Sequence, residues 1–382
     1  MNKRLMTPGP TPLPPQVIEA LGQQVLHHRT KEYAEVFERL NSGLKYVFAT
    51  DYTVATLTAS GTGGMEAAVT NCFCPGDRVL LVSSGVFSER FYDICRCMEL
   101  KVEKLEVPWG KGIGAQEVMA RLDNGIKGVI VTHNETSTAA CNDIESIGKA
   151  LEGTDVLYIV DAVSSLGGME VRPEKWGIDI AVTSSQKALM CPPGLTFLSI
   201  SSRAMEAARR NKSRRHYWDL CKVVDFMGKQ PPQHPFTPAV NLVRASLEAI
   251  TLIQREGLEN VWRRHRRMGH MTRTGVKAMG LGLFAGEGSA SDTLTAVNVP
   301  DGINAGDIVK RMEQDFGLVI AGGNKNLKGR IIRIAHMGYI SERDVLDTLQ
   351  GLEQILIDLG CPVNRGRAYT AAKQIIDTGG TV

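Results

Sequence analysis

Lys187 stands between an apolar run and the turn Pro192-Pro193-Gly194, a place with no obvious solvated face. Partial burial lowers a lysine's pKa and turns its amine into a nucleophile toward carbonyls. Twenty-six residues earlier, Asp161 ends the apolar run VLYIVD. Burial alone raises a carboxyl pKa; a cation such as a protonated pyridinium nitrogen lowers it again and keeps the pair ionised. The segment Ala59-Ser60-Gly61-Thr62-Gly63-Gly64 puts glycines at a helix start. Free backbone N–H groups and the positive end of the helix dipole make such a place an anion pocket. Phe87, at another helix start, offers a ring for stacking. The run Thr132-His133-Asn134-Glu135-Thr136-Ser137-Thr138 is dense in hydrogen-bonding groups.

Each of these has a plain reading when taken alone. The glycines make a turn, Phe87 is a core aromatic, and His133 is a satisfied structural histidine. Asp161 is a helix cap, and Lys187 is a surface lysine. The glycine loop is neither a dinucleotide fingerprint, since Glu66 stands where the third glycine belongs, nor a P-loop, since no Gly-Lys-Ser/Thr follows. Together they specify one cofactor. Pyridoxal 5′-phosphate (PLP) needs an anion pocket, a face to stack on, a carboxylate for its ring nitrogen and a lysine for its aldehyde.

The elements that must position these groups follow from the apolar rhythm. Runs at 53–58, 78–83, 100–106, 127–132, 156–161, 179–183 and 195–200 read as strands, with helical patterns between most of them. The strands are apolar throughout, as in a parallel sheet covered on both faces. Ligands of such sheets bind beyond the carboxyl ends of the strands, where five of the runs carry the residues above. The expected class is α/β: a mostly parallel central sheet with helices on both faces, plus a smaller C-terminal α+β domain. From about residue 203 the texture changes. Residues 203–218 read as a basic helix, 230–238 as a Pro-rich loop, and 239–256 and 257–280 as long helices. Strands near 293–299, 318–321 and 330–335 and helices near 304–316 and 341–359 complete the second unit. The expected division is an N-terminal segment (1–20), a large cofactor-binding domain (21–235), a small domain (236–360) and a loosely ordered polar tail (361–382).

Bulk composition excludes other classes. Lys+Arg 44 against Asp+Glu 41, a net charge of +3, gives no pull toward nucleic acid or membrane. The basic runs 209–215 and Arg263–Arg267 read as solvated helix faces. The eight cysteines are scattered and read as reduced thiols; Cys72-x-Cys74 and Cys95-x-Cys97 are too closely spaced for zinc. No apolar run is long enough to span a bilayer, and neither a signal peptide nor a C-terminal lipidation signal is legible. The expected compartment is the cytoplasm, with no metal.

The motifs TPGPTPLPP, ASGTGGMEA, SGVFSER, THNETST, VDAVSSLGG, SSQKALMCPPG, QHPFTPA and IIRIAHMG give the chain a family resemblance over about residues 5–360. It resembles the class V aminotransferases of PLP fold type I, in the alanine–glyoxylate, serine–glyoxylate and serine–pyruvate group. The resemblance implies that Lys187 forms the Schiff base and moves the substrate's proton, while Asp161 pairs with the ring nitrogen. It implies that Phe87 stacks on the ring beside Val163. Ser60, Gly61 and Thr62 would hold the phosphate, Gln186 would bind the phosphate or position the ring, and Thr136 and Ser137 would bond near the ring. His234 and Thr237 would reach the phosphate of a neighbouring subunit, which makes a homodimer. Arg333 would grip the substrate carboxylate. The implied reaction is ping-pong transamination from alanine or serine to glyoxylate or pyruvate. Three alternatives share the fold: a phosphonate-specific aminotransferase, a cysteine-desulfurase-like enzyme and a non-catalytic accessory subunit.

Overall fold

The structure is a computed structural model that describes residues 3–378. Met1, Asn2 and the ending Gly379-Gly380-Thr381-Val382, where no lipidation signal was legible, lie outside the described residues.

Seven strands form the central sheet: β1 (Thr53–Thr58), β2 (Arg78–Ser83), β3 (Lys101–Glu106), β4 (Ile126–Thr132), β5 (Leu157–Asp161), β6 (Ile180–Ser184) and β7 (Leu195–Ile200). Their spatial order is β1-β7-β6-β5-β4-β2-β3. Only β7 runs antiparallel to its neighbours. Side chains alternate between two cores. Leu80, Val82, Val129, Val131, Tyr158 and Val160 pack on one face with Phe37 and Leu44. Val79, Leu81, Ile130 and Ile159 pack on the other with Met65, Val69 and Phe91. Both faces of the inner strands are therefore covered, which explains why those strands show no polar alternation; the edge strand β3, KVEKLE, is polar and has no fully buried residue. Burying each large apolar side chain contributes about 1.5–3 kcal/mol.

A second, antiparallel sheet pairs Leu294–Asn298 with Ile331–Ala335, and the latter with Ala321–Gly322. Helices Ala305–Phe316, Glu342–Asp358 and Leu258–Ala278 bury an apolar core beside it. The short strand Arg4–Leu5 pairs in parallel with Leu318–Val319. The Ala335 N–H donates to the Met6 carbonyl. The N-terminal segment is thus fastened to the second sheet before it reaches the central one.

Two expectations are corrected. Residues 367–377 are not a loose tail but a helix, Arg367–Asp377, with Ala368, Ala372 and Ile375 turned inward. Their four-then-three spacing makes a stripe too short and too weakly apolar to stand out among polar neighbours. The basic helix expected over 203–218 stops at Arg210. The Asn211 amide then donates to the carbonyls of Thr70, Asn71 and Phe73, closing the end of helix Gly61–Cys72. Tertiary hydrogen bonds there outweigh local helix propensity. In the run Arg263–Arg267, Arg264 pairs with Glu256, Arg266 with Asp292 and Arg267 with Glu342. Among the described residues no helix is long and apolar enough to cross a membrane.

Candidate active site

The carboxyl ends of β1, β2, β5 and β6 open into one cavity of about 270 Å³. Ser60, Gly61 and Thr62 follow β1, and Phe87 follows β2. Asp161 and Val163 follow β5, and Gln186 and Lys187 follow β6; all of these line it. A larger cleft of about 620 Å³ lies between Lys45, Arg172 and Trp262. It borders none of these strand ends. There Lys45 bonds the Asp51 carbonyl and Arg172 pairs with Glu170.

The anion pocket is the start of helix Gly61–Cys72. Ser60 does not cap it with its side chain. The amides of Gly63 and Gly64 bond back to the Ser60 carbonyl, which leaves those of Gly61 and Thr62 as first-turn donors. Gly61 has to be glycine: a Cβ there would lie 2.8 Å from Val163 Cγ2. Gln186 contributes a buried Oε1 that has no partner.

Lys187 is buried, and its Nζ donates to the Pro8 carbonyl. Its ammonium lies 5.8 Å from the centre of the Phe87 ring. Burial lowers its pKa to about 8, partly offset by the Asp161 carboxylate. Asp161 is also buried, and its Oδ1 accepts from the Val163 N–H at 2.9 Å. Burial raises its pKa to about 6. The two groups therefore sit closer in pKa than free lysine and aspartate, the pattern of a site prepared for proton chemistry.

The remaining candidates do not border the cavity. The Ser137 hydroxyl is committed to the Glu135 carboxylate and the Val86 N–H. Thr136 is buried, and its carbonyl accepts from Arg333 Nη1 at 2.8 Å. Arg333 is buried on the second sheet. Its other bonds go to the Gly322 carbonyl and Asn324 Oδ1, and its charge reaches Lys187. Thr237 is exposed on its loop. His234 is buried against Phe37, with ring centres 3.9 Å apart. Its Nε2 is buried without a hydrogen-bond partner, and burial lowers its pKa to about 3.

Several residues at the site were not singled out from the sequence. Gly9 and Pro10 line the cavity. At Gly9, φ is +107°, and a Cβ would lie 2.7 Å from Lys187 Cδ. Arg90 also lines it, 4.8 Å from the Phe87 ring centre, and donates to Thr62 Oγ1 at 3.1 Å. Its position three residues after Phe87 on one helix was the available signal. Glu135 lay unremarked inside a polar run.

The profile of the family Aminotransferase class-V matches residues 4–345. The chain belongs to the class-V aminotransferases. It is a transaminase, and its cofactor is pyridoxal 5′-phosphate. The chain is 39% identical to the "Soluble hydrogenase, small subunit" of Synechococcus sp. (strain PCC 6716), over 98% of each. It is 35% identical to the serine–glyoxylate aminotransferase of Arabidopsis thaliana, over 96% of this chain and 94% of that one. Among solved structures it is similar to the ureidoglycine–glyoxylate aminotransferase of Bacillus subtilis. The TM-score is 0.94 at 29% identity, covering 99% of this chain and 98% of that one. The class-V aminotransferase thus has the fold type I architecture. The cavity suits the cofactor on its own chemistry: unpaired amides and an orphan amide oxygen at one end, and a buried carboxyl and a buried amine at the other.

Proposed function

We propose that this class-V aminotransferase moves the amino group of a small amino acid, alanine or serine, to glyoxylate or pyruvate in two half-reactions. The observation that carries the reading is Arg333, which does not line the cavity but whose charge acts on Lys187. It is a buried guanidinium whose three hydrogen bonds go to neutral oxygens, so it retains a full charge for a substrate carboxylate. A cavity of about 270 Å³ is at the small end for a ligand site, which favours a small substrate. The names of the serine–glyoxylate and ureidoglycine–glyoxylate relatives support glyoxylate as acceptor.

PLP supplies an electron-poor ring that acidifies the substrate's α-carbon and carries the amino group between the half-reactions. The residues divide the remaining work. Lys187 would hold the cofactor aldehyde, and its neutral amine would serve as the base that moves the substrate's α-proton. Asp161 keeps the ring nitrogen protonated. Phe87 and Val163 offer apolar faces to the ring. The loop Ser60–Thr62, Gln186 and Arg90 hold the phosphate end. Thr237, exposed and away from its own cavity, serves the partner's cavity in a homodimer; a single-chain mass by sedimentation would count against that role.

The deciding experiment is an absorbance titration of the PLP-loaded protein. Alanine or serine is expected to bleach the cofactor band, and glyoxylate or pyruvate to restore it. A band that ignores all four compounds sinks the substrate assignment. It also favours the accessory-subunit reading, which the name of the Synechococcus relative supports. A second test concerns Arg333. A hydrogen bond to a charged group contributes about 1.5–3 kcal/mol. Arg333→Gln is therefore expected to raise KM for donor and acceptor alike, by roughly 10- to 150-fold, with a smaller change in kcat. Unchanged KM values for both would remove Arg333 from the substrate site.

A further inference from the structure

Glu135 is a fully buried carboxylate at the heart of the structure, and burial pushes its pKa up. Its bonds nevertheless suit the ionised form, because every partner donates. One oxygen accepts from the amides of Phe87 at 2.9 Å and Ser88 at 3.1 Å. The other accepts from the Ser137 amide at 3.1 Å and the Ser137 hydroxyl at 2.6 Å. Phe87 and Ser88 open helix Val86–Cys97, so their amides have no acceptor within the helix. A carboxylate from the loop after β4 thus caps a helix that begins after β2. The fit is close: a Cβ on Gly85 would lie 2.4 Å from Glu135 Cγ.

The same short turn touches two other functional groups. The His133 N–H donates to the Asp161 carbonyl at 2.9 Å. The Thr136 carbonyl accepts from Arg333 Nη1 at 2.8 Å. One turn therefore meets the residue proposed to stack on the ring, the one proposed to charge it and the one proposed to hold the substrate. Phe87 and Asp161 follow different strands of the central sheet, and Arg333 stands on the second sheet.

We propose that Glu135 is a positioning residue: it fixes the Phe87 ring against the cofactor and, through its turn, the distance from Asp161 to Arg333. This rests on the roles given above to Phe87 and Arg333. Glu135 does not line the cavity. Its charge is what two amides and Ser137 organise around, so an amide of the same shape, which offers one acceptor where two are used, loosens the turn.

The test compares Glu135→Gln, Ser137→Ala and Phe87→Leu in the PLP-loaded enzyme. Four quantities are read: the PLP dissociation constant, the visible circular dichroism of the bound cofactor, KM against kcat, and the melting temperature. Glu135→Gln is expected to weaken PLP about tenfold or more, to shrink the visible dichroism and to raise KM for both substrates. Ser137→Ala should move the same quantities less, and serves if the glutamine variant does not fold. A lower melting temperature with PLP affinity, dichroism and KM all unchanged would overturn the proposal, since a merely structural carboxylate behaves that way. If Phe87→Leu leaves PLP affinity unchanged, the stacking role fails and takes the proposal with it. If Phe87→Leu weakens PLP and neither Glu135→Gln nor Ser137→Ala does, the positioning role alone fails.

Discussion

Lys187→Ala is expected to lower the transamination rate about 10⁴-fold, the upper end for removing a positioned general base. Two losses combine. Without the amine, the cofactor is held only by its phosphate end and its ring contacts. Without a neutral base, nothing else lining the cavity takes the α-proton, because Asp161 is the group proposed for the ring nitrogen and Arg90 does not deprotonate. Borohydride reduction of the PLP-loaded wild type should add mass at Lys187, and the variant should gain none. The pH dependence follows from burial. A pKa of about 8 leaves roughly a tenth of the amine neutral at pH 7, against about one part in three thousand for an ordinary lysine. Cofactor uptake by the apoprotein should therefore climb with pH and level off above pH 8. Uptake still climbing past pH 10, or a Lys187→Ala variant keeping a hundredth of wild-type activity, would show that another group does this work.

Asp161→Asn is expected to cost about 10³-fold in kcat while leaving the apoprotein at least as stable. A carboxylate about 4 Å from a charged ring nitrogen contributes about 4 kcal/mol at the effective dielectric of a protein. Losing it slows the step that depends on ring charge about a thousandfold. Stability goes the other way. The Asp161 carboxyl rises from 3.8 to about 6 in the folded apoprotein, so between those pH values the folded chain holds a proton that the unfolded chain has released. Stability from this group falls as pH rises through that window and stays lost above it. Asparagine avoids the buried charge and still accepts the Val163 N–H. Apoprotein melting curves at pH 4 and pH 7 should show the variant gaining on the wild type at the higher pH. A variant with kcat within tenfold of wild type would mean that ring charge is not what Asp161 supplies.

The sequence by itself determined the strand ends and much of what stands on them. Apolar runs of five to seven residues buried on both faces leave a strong signal, and β1 to β7 fall within a residue or so of those runs. Once the strands are placed, Ser60, Phe87, Asp161 and Lys187 follow, because a parallel sheet gathers what comes after its strands at one edge. Only tertiary structure decided the rest. The Pro8 carbonyl meets Lys187 across 179 positions, and Arg333 meets the Thr136 carbonyl across 197. No periodicity encodes such a contact. His234 packs against Phe37 across nearly two hundred positions, which no local pattern in the sequence announces. Glu135 looked like one more polar residue in a polar run. Hydropathy scores a carboxylate as exposed, and its burial depends on amides supplied by another strand's helix, which appear only when the chain has folded.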